Sequence, residues 1–170
     1  MLSPRINLPD NLKLRPVRDD DAGFVESLYR STRDDLRMLD AEPDAVESLI
    51  EMQYQAQTHG YDEQFPNAWH FVVEYLGDRI GRVIMDFGPN EVHVVDIAFI
   101  PAARGKGHGA QVLKAMQAAA AKVRAPLTLS VNPLNAAAKR LYLQLGFQVV
   151  EIGFMAERLA WYPSVADIHA

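Results

Sequence analysis

Residues 91–109 read EVHVVDIAFIPAARGKGHG, and the reading of this stretch decides the fold. An apolar strand pattern runs from Glu91 to Ile100 and meets Pro101. A glycine-rich turn with two cations follows, and a helix is expected from about Gly109. Glycines at a strand-to-helix junction let backbone N–H groups approach an anion, and the first helical turn adds partial positive charge. The segment therefore reads as a phosphate cradle.

Upstream of it, His70 to Leu76 and Arg79 to Phe87 form strand patterns around a Gly77-Asp78 turn, and Gly88-Pro89-Asn90 turns the chain into the strand of the cradle. The three make an antiparallel meander. Downstream, Val112, Leu113, Met116, Ala119 and Ala120 recur at helical spacing, and Leu127 to Val131 is a short strand behind Pro126. Residues 134–145 predict another helix closed by Gly146. Phe147 to Ile152 and Met155 to Trp161 predict a final antiparallel pair, and residues 164–170 a weakly specified tail.

The N-terminal third is mostly helical. Leu12 to Val17 can form a strand, after which Asp19, Asp20 and Asp21 supply N-cap and first-turn carboxylates for a helix with Phe24, Val25, Leu28 and Tyr29 on one face. Pro43 opens a later helix whose Val46, Leu49, Ile50 and Gln53 share a face until Gly60 ends it. Residues 59–67 read as a loop holding Tyr61, Asp62, Glu63 and Phe65. This order predicts an α/β (α+β) fold: a mixed sheet with helices on both faces, in a single domain over residues 1–170.

The chain has 170 residues, enough to bury roughly two-thirds of its unfolded surface around one core. With 49% hydrophobic and 23% charged residues it has the balance of a globular protein. A net charge of −5 argues against a nucleic-acid partner and for one local anionic ligand at the basic turn. The absence of cysteine excludes disulfides, a thiolate nucleophile and zinc-thiolate sites. No apolar run reaches the ~18–20 residues of a membrane span, so no membrane partner and a cytoplasmic address are expected.

The turn Arg104-Gly105-Lys106-Gly107-His108-Gly109 can be parsed in three ways. It lacks the Lys-Ser or Lys-Thr pair of a P-loop. Gly105, Gly107 and Ala110 fit a dinucleotide fingerprint, but the next strand ends in Val131-Asn132-Pro133, with no acid for a ribose. The third parse is Arg-x-x-Gly-x-Gly at Arg104, Gly107 and Gly109 behind a strand ending in proline. This resembles the acyl-CoA pyrophosphate loop of the GNAT superfamily of N-acetyltransferases. The block from Asn135 to Phe147, NAAAKRLYLQLGF, is similar to that superfamily's N-x-x-A-x-x-L-Y-x-x-x-G-F. The two blocks stand in the family's order and at its spacing.

The resemblance implies acetyl-CoA as cosubstrate, direct acetyl transfer to an amine, and a mostly antiparallel twisted sheet of about seven strands with one splayed pair. It implies that backbone amides from Arg104 through Gly105, Lys106, Gly107, His108 and Gly109 to Ala110 hold the pyrophosphate. It also implies that Ala98, Phe99 and Ile100 pair with pantetheine and polarise the acetyl carbonyl, and that Asn132 and Asn135 contact the cofactor. Tyr142 matches the position that protonates the departing thiolate. A homodimer is compatible with the family, although no segment of the sequence marks an interface.

A general base is not fixed by the motifs. Asp96, a carboxylate in an apolar strand on the face of Val94, Ala98 and Ile100, is the leading candidate. If Gly88-Pro89-Asn90 is a three-residue loop, however, Arg82 falls opposite Asp96 and the two form a cross-strand ion pair. His70, His93, Glu74, Asp62, Glu63 and a water chain are the alternatives. No histidine or carboxylate spacing suggests a metal. Tyr54, His59, Tyr61, Phe65 and Trp69, with acids beside them, would suit a small-molecule or peptide amine. The rival reading is an acyl-CoA-sensing domain of the same fold without efficient chemistry.

Overall fold

The computed structural model describes residues 6–9 and 11–170. Seven strands, β1 (Leu12–Pro16), β2 (Trp69–Tyr75), β3 (Asp78–Phe87), β4 (Val92–Phe99), β5 (Leu127–Val131), β6 (Gln148–Ile152) and β7 (Glu157–Trp161), form one sheet of order β1-β2-β3-β4-β5-β7-β6. Five α-helices accompany it: α1 (Ala22–Ser31), α2 (Pro43–Gln64), α3 (His108–Lys122), α4 (Ala136–Gln144) and α5 (Val165–Ile168). All neighbouring strands are antiparallel except β4 and β5, which a crossover through α3 makes parallel. The expected mixed, mostly antiparallel seven-stranded sheet with helices on both faces is present.

Alternation along the strands divides the side chains between the two faces. Phe71, Val73, Val83, Met85, Val94 and Leu129 point to one face, where Val112, Leu113 and Met116 of α3 close the main core. Each such side chain contributes about 1.5–3 kcal/mol by leaving water. Leu141 and Tyr142 of α4 pack against the same core. On the opposite face α1 and α2 enclose a smaller cluster of Tyr29, Val46 and Ile50, flanked by Leu36 and Tyr54. Arg30 ties the two helices together through Glu47 and Glu51, each at 2.7 Å.

Four local readings of the sequence change. The helix that Pro43 opens runs through Gly60 to Gln64, so the loop expected over 59–67 shrinks to a few residues. Gly60 keeps a negative φ; inside a helix it costs ~1 kcal/mol relative to alanine, too little to end one that Val46 and Ile50 anchor. Asp21 is fully buried and its side chain does not cap α1: Arg15 grips it at 2.7 and 2.8 Å, Arg79 adds a bond at 3.2 Å, and the Arg18 N–H at the start of the preceding 3₁₀ turn donates at 2.8 Å. The tail beyond Pro163 holds α5, capped by Ser164 and Asp167 in reciprocal bonds.

The fourth change concerns register. Phe87 pairs with Val92, so the turn has four residues, and Val95 is bulged out between the Met85–Val94 and Ile84–Asp96 pairs. The two single-residue shifts add up to two, which puts Ala98 rather than Asp96 opposite Arg82 while keeping both on the same face. The bulge also sends Val94 into the main core and Asp96 toward α2, so the two do not share a face.

Candidate active site

β4 and β5 pair only from Val92 to Val94 and from Leu127 to Leu129. Beyond that they diverge, and the gap-side backbone groups of Val95 to Phe99 have no strand partner. The bulge at Val95 is where the divergence begins. The resulting slot of about 180 Å³ is lined by Asp96, Ile97, Val131, Asn132, Asn135 and Tyr142. It is continuous, through Ile97 and Asn135, with an open cleft of about 610 Å³ that reaches Ala98, Phe99 and Arg104 on one side and Ser31 to Asp35 on the other. Gly81 of β3 lets the end of β4 lie where it does: a Cβ there would sit 2.5 Å from the Ala98 carbonyl oxygen and 2.8 Å from the Phe99 ring.

The glycine turn lies at the mouth of this gap. Gly105 and Gly107 adopt φ of +74° and +85°, and Gly107 is the N-cap of α3. Among the described residues no backbone acceptor is within reach of the N–H groups from Gly105 to Gly107, and those of His108 to Ala110 belong to the unpaired first turn of the helix, whereas the Arg104 N–H, expected in the cradle, goes to the Pro101 carbonyl at 3.2 Å. A run of orphan donors at a helix N-terminus is the donor set a pyrophosphate needs, so the residues present fit one. Gly109 has an ordinary φ, and an added Cβ would meet only Phe99 at 3.5 Å and Leu141 at 3.9 Å.

The side chains of the turn are used differently. Arg104 donates from Nε to the Phe99 carbonyl at 2.9 Å and from Nη2 to Ser31 Oγ at 3.4 Å, clamping the turn to β4 and to the end of α1. Lys106 is exposed. His108 is buried, with its ring tilted against Tyr75 at 4.7 Å and its Nδ1 without a partner among the described residues. Asn132 and Asn135 each use Oδ1 locally, accepting from Leu134 N at 2.9 Å and, as the cap of α4, from Ala138 N at 3.2 Å. Their amide NH₂ groups make no hydrogen bond among the described residues.

Tyr142 and Asp96 line the same slot. The Tyr142 ring lies edge-on to Phe147, 5.9 Å between centroids. Burial, with a smaller contribution from the Asp96 charge, raises its phenol above the ordinary tyrosine range. Both bonds from Arg82 to Asp96, from Nη2 at 2.5 Å and from Nε at 3.1 Å, go to Oδ2. The same guanidinium donates to Gln57 Oε1 at 3.2 Å. Oδ1 of Asp96 makes no hydrogen bond among the described residues.

The remaining candidates separate. His70 is held below the usual histidine value by burial and by Arg82, and His93 by burial and by Arg158. His93 bonds Thr128 Oγ1 through Nδ1 at 2.8 Å and stacks under Phe65 at 5.5 Å. Of the aromatic group, Tyr54 packs on Tyr29 and Trp69 on Phe71. His59 pairs with Glu63 on the exposed side of α2. Tyr61 is near enough to Asp96 and Arg82 to feel both charges, and burial, then Asp96, pushes its phenol up to about 12. Gln53, Gln57 and Tyr61 are four apart on one face of α2 and form a polar stripe over β3 and β4. Ending the helix at Gly60 left Tyr61 out of that stripe. Arg33, stacked over Tyr29 at 5.4 Å, lines the cleft and carried no signal in the sequence.

Among the described residues, no group of three or more histidine, aspartate or glutamate side chains is placed to hold a metal, and no helix is long and apolar enough to cross a membrane.

Comparison with solved structures finds the same fold in N-acetyltransferases. The chain is similar to the PaiA N-acetyltransferase of Thermoplasma acidophilum in complex with coenzyme A, with 14% identity, a TM-score of 0.67, and 89% of this chain and 99% of that one covered. It is also similar to RimL, a ribosomal L7/L12 α-N-protein acetyltransferase in complex with coenzyme A (14% identity, TM-score 0.64, 92% and 97% covered). A spermidine N-acetyltransferase SpeG chimera from Vibrio cholerae and hSSAT is a third (21% identity, TM-score 0.61, 90% and 96% covered). A search of curated proteins gives no match. The model of the acetyltransferase (GNAT) family matches residues 26–147, from the middle of α1 to the turn after α4. With most of its length matched and the splayed strands and glycine turn in place, the chain belongs to the acetyltransferase (GNAT) family.

Proposed function

We propose that this chain transfers the acetyl group of acetyl-CoA directly to a primary amine. One observation carries the reading: the β4–β5 gap opens beside a run of unpaired N–H donors, and a protonated phenol and a free carboxylate oxygen line it. Acetyl-CoA, when bound, supplies an activated thioester carbonyl. Backbone amides from Gly105 to Ala110 hold its pyrophosphate, with Arg104 fixing the turn by clamping it to Phe99 and Ser31. The gap side of β4 at Ala98 and Phe99 lies along pantetheine as a further strand would and polarises the carbonyl; Ile100, expected beside them, has its N–H on the Ile80 carbonyl and its own carbonyl on the Ala103 N–H. Asn132 and Asn135 donate from their amide groups.

Tyr142 supplies the proton for the departing thiolate. Its raised pKa keeps the phenol protonated at neutral pH, the form a donor requires. Asp96, steadied through Oδ2 by Arg82, presents Oδ1 to the incoming ammonium group and takes its proton directly or through water. The acceptor enters from the α2 side, where Gln57, Tyr61 and the cleft residues Ser31 to Asp35 surround it. The solved neighbours include a protein N-terminal acetyltransferase and a polyamine acetyltransferase; a small-molecule or peptide amine suits this cleft equally. The site lies in a soluble domain with a cytoplasmic address.

The Arg82–Asp96 pair favours a second reading, an acyl-CoA-binding domain of weak activity, because one carboxylate oxygen is already engaged. Thiol release from acetyl-CoA across an amine panel, paired with a CoA-binding measurement, decides between them. Turnover on any amine supports transfer, binding without turnover supports the sensor, and failure to bind CoA defeats both.

A further inference from the structure

Among the described residues, the arginines partly or fully withdrawn from solvent are Arg15, Arg30, Arg33, Arg82 and Arg158. All but one hold a carboxylate: Arg15 holds Asp21, Arg30 holds Glu47 and Glu51, Arg82 holds Asp96, and Arg158 holds Glu91. Arg33 holds none. It leads from α1 into the 3₁₀ turn Asp34–Met38 and lines the cleft together with Ile97 and Ala98. Its Nε donates to the Tyr29 hydroxyl at 3.2 Å, and its guanidinium lies over the Tyr29 ring, 5.4 Å from the centroid. Its two Nη groups make no hydrogen bond among the described residues. A guanidinium drawn out of water is matched best by an anion that meets its forked donors.

The neighbouring charges do not supply that anion. Asp34 is taken by Arg37 at 2.5 Å, and Asp35 is exposed and in no ion pair among the described residues. The CoA cradle is on the other side of the sheet. Tyr29, which carries Arg33, packs on Tyr54 at 5.3 Å in the cluster between α1 and α2, whereas the glycine turn opens α3 over the main core. Burial raises the Tyr61 phenol, and Asp96, Arg82 and Arg33 also act on it through space, so Asp96 and Arg33 lie within charge range of one hydroxyl.

We propose that the acceptor is an amine that also carries a carboxylate, with the amine toward Oδ1 of Asp96 and the carboxylate forked on the Nη groups of Arg33. This rests on the acetyl-transfer reading and narrows its acceptor. An amine alone would leave Arg33 unmatched in the cleft; a zwitterion meets both charges. The carboxylate is that of a free amino acid or the side chain of an acidic first residue in a peptide.

The test is kcat/KM with acetyl-CoA in two arms. One sets the standard L-amino acids and β-alanine each beside its carboxamide; the other sets peptides opening with Asp or Glu beside those opening with Asn or Gln. In one arm the carboxylate should exceed its amide by roughly 10- to 100-fold, the size of a lost charge-assisted pair, and that arm identifies the source. Arg33→Gln should bring the ratio near one, and Arg33→Lys, which keeps the charge without the fork, should leave it intermediate. Calorimetric titration of the same compounds into the CoA-loaded protein needs no turnover and should show the same loss, with circular dichroism and CoA affinity as in the parent. Equal rates for carboxylate and amide in both arms overturn the proposal, as does a preference that Arg33→Gln leaves intact. Loss of CoA affinity in Arg33→Gln overturns it too and assigns the guanidinium to a CoA phosphate. Turnover confined to amines without a carboxylate defeats this proposal alone, whereas no turnover on any amine defeats the transfer reading and this one with it.

Discussion

Replacing Gly107 by alanine separates backbone from side-chain recognition at the cradle. Gly107 has φ +85° and ψ 2°, and nothing lies within 4 Å of an added Cβ. The substitution therefore creates no clash, only the ~1–2 kcal/mol that an L side chain costs in a left-handed conformation. The turn around it is exposed, so the free protein can relax out of that conformation and regain most of this energy. Binding then has to restore it, and the cost appears as lost affinity, roughly 5- to 30-fold in Kd for CoA, with little change in Tm. Lys106→Ala removes one exposed charge, at most ~1 kcal/mol or about 5-fold, and the loss should shrink with added salt. Gly109→Ala, at a residue of ordinary φ with open space for a methyl, should change affinity only if phosphate oxygens occupy that space. Calorimetric titration with CoA at two salt concentrations measures all three. If Lys106→Ala costs more than Gly107→Ala, the cradle works by charge and not by oriented amides, and the reading of the turn is refuted.

Tyr142→Phe should lower kcat about 100-fold with CoA affinity nearly unchanged, the usual size of a lost general acid. Because its phenol is raised, the acid form survives to alkaline pH, so kcat should show no Tyr142 limb below about pH 10. Asp96→Asn should cut kcat/KM at least ~10-fold and remove its acidic limb; Arg82→Gln should cut it less, and unchanged activity in a folded Asp96→Asn protein would retire the carboxylate as base. Asp21→Asn should cost ~3 kcal/mol in urea unfolding, since it leaves Arg15 without its buried partner. Arg15, outweighing desolvation, holds the Asp21 carboxyl well below its ordinary value, so this stabilisation is full above about pH 5 and is lost as pH falls through the carboxylate range.

The meander, the α3 crossover and β5 were legible because each rests on a local signal: alternation, a glycine-bearing turn, a helical period. β5 begins at Leu127 and ends at Val131 as its apolar run does. The misreadings share a different origin. Gly60 is a helix breaker by propensity, yet the apolar anchors of α2, about three and four turns before it, outweigh it. Three consecutive aspartates read as capping residues, but Arg15 and Arg79 arrive from other strands and draw one of them into the interior. The Arg82–Asp96 pair was foreseen from a three-residue turn that the chain does not make; a longer turn and a bulge together shift the register by two, which keeps both residues on one face, and the long Arg82 side chain spans the diagonal.

The same distinction explains why the donor half of the site could be read and the acceptor half could not. In the proposed function pyrophosphate meets backbone N–H groups whose conformation depends on glycines, and glycines stand in the sequence in plain sight. The proposed acceptor side draws on Ser31 to Asp35, on Ile97 to Phe99 of β4, and on the Gln57–Arg82–Asp96 group of α2, β3 and β4, which are far apart along the chain. Gln57 and Arg82 are 25 residues apart and meet only because α2 lies across β3. Arg33 and Asp35 reach the cleft only because a 3₁₀ turn carries the chain from α1 across the end of β4. On the proposed function, acceptor specificity therefore depends on where α2 lies on the sheet. A change that moves that helix, such as breaking the Arg30 contacts to Glu47 and Glu51, should alter acceptor KM while leaving CoA affinity intact.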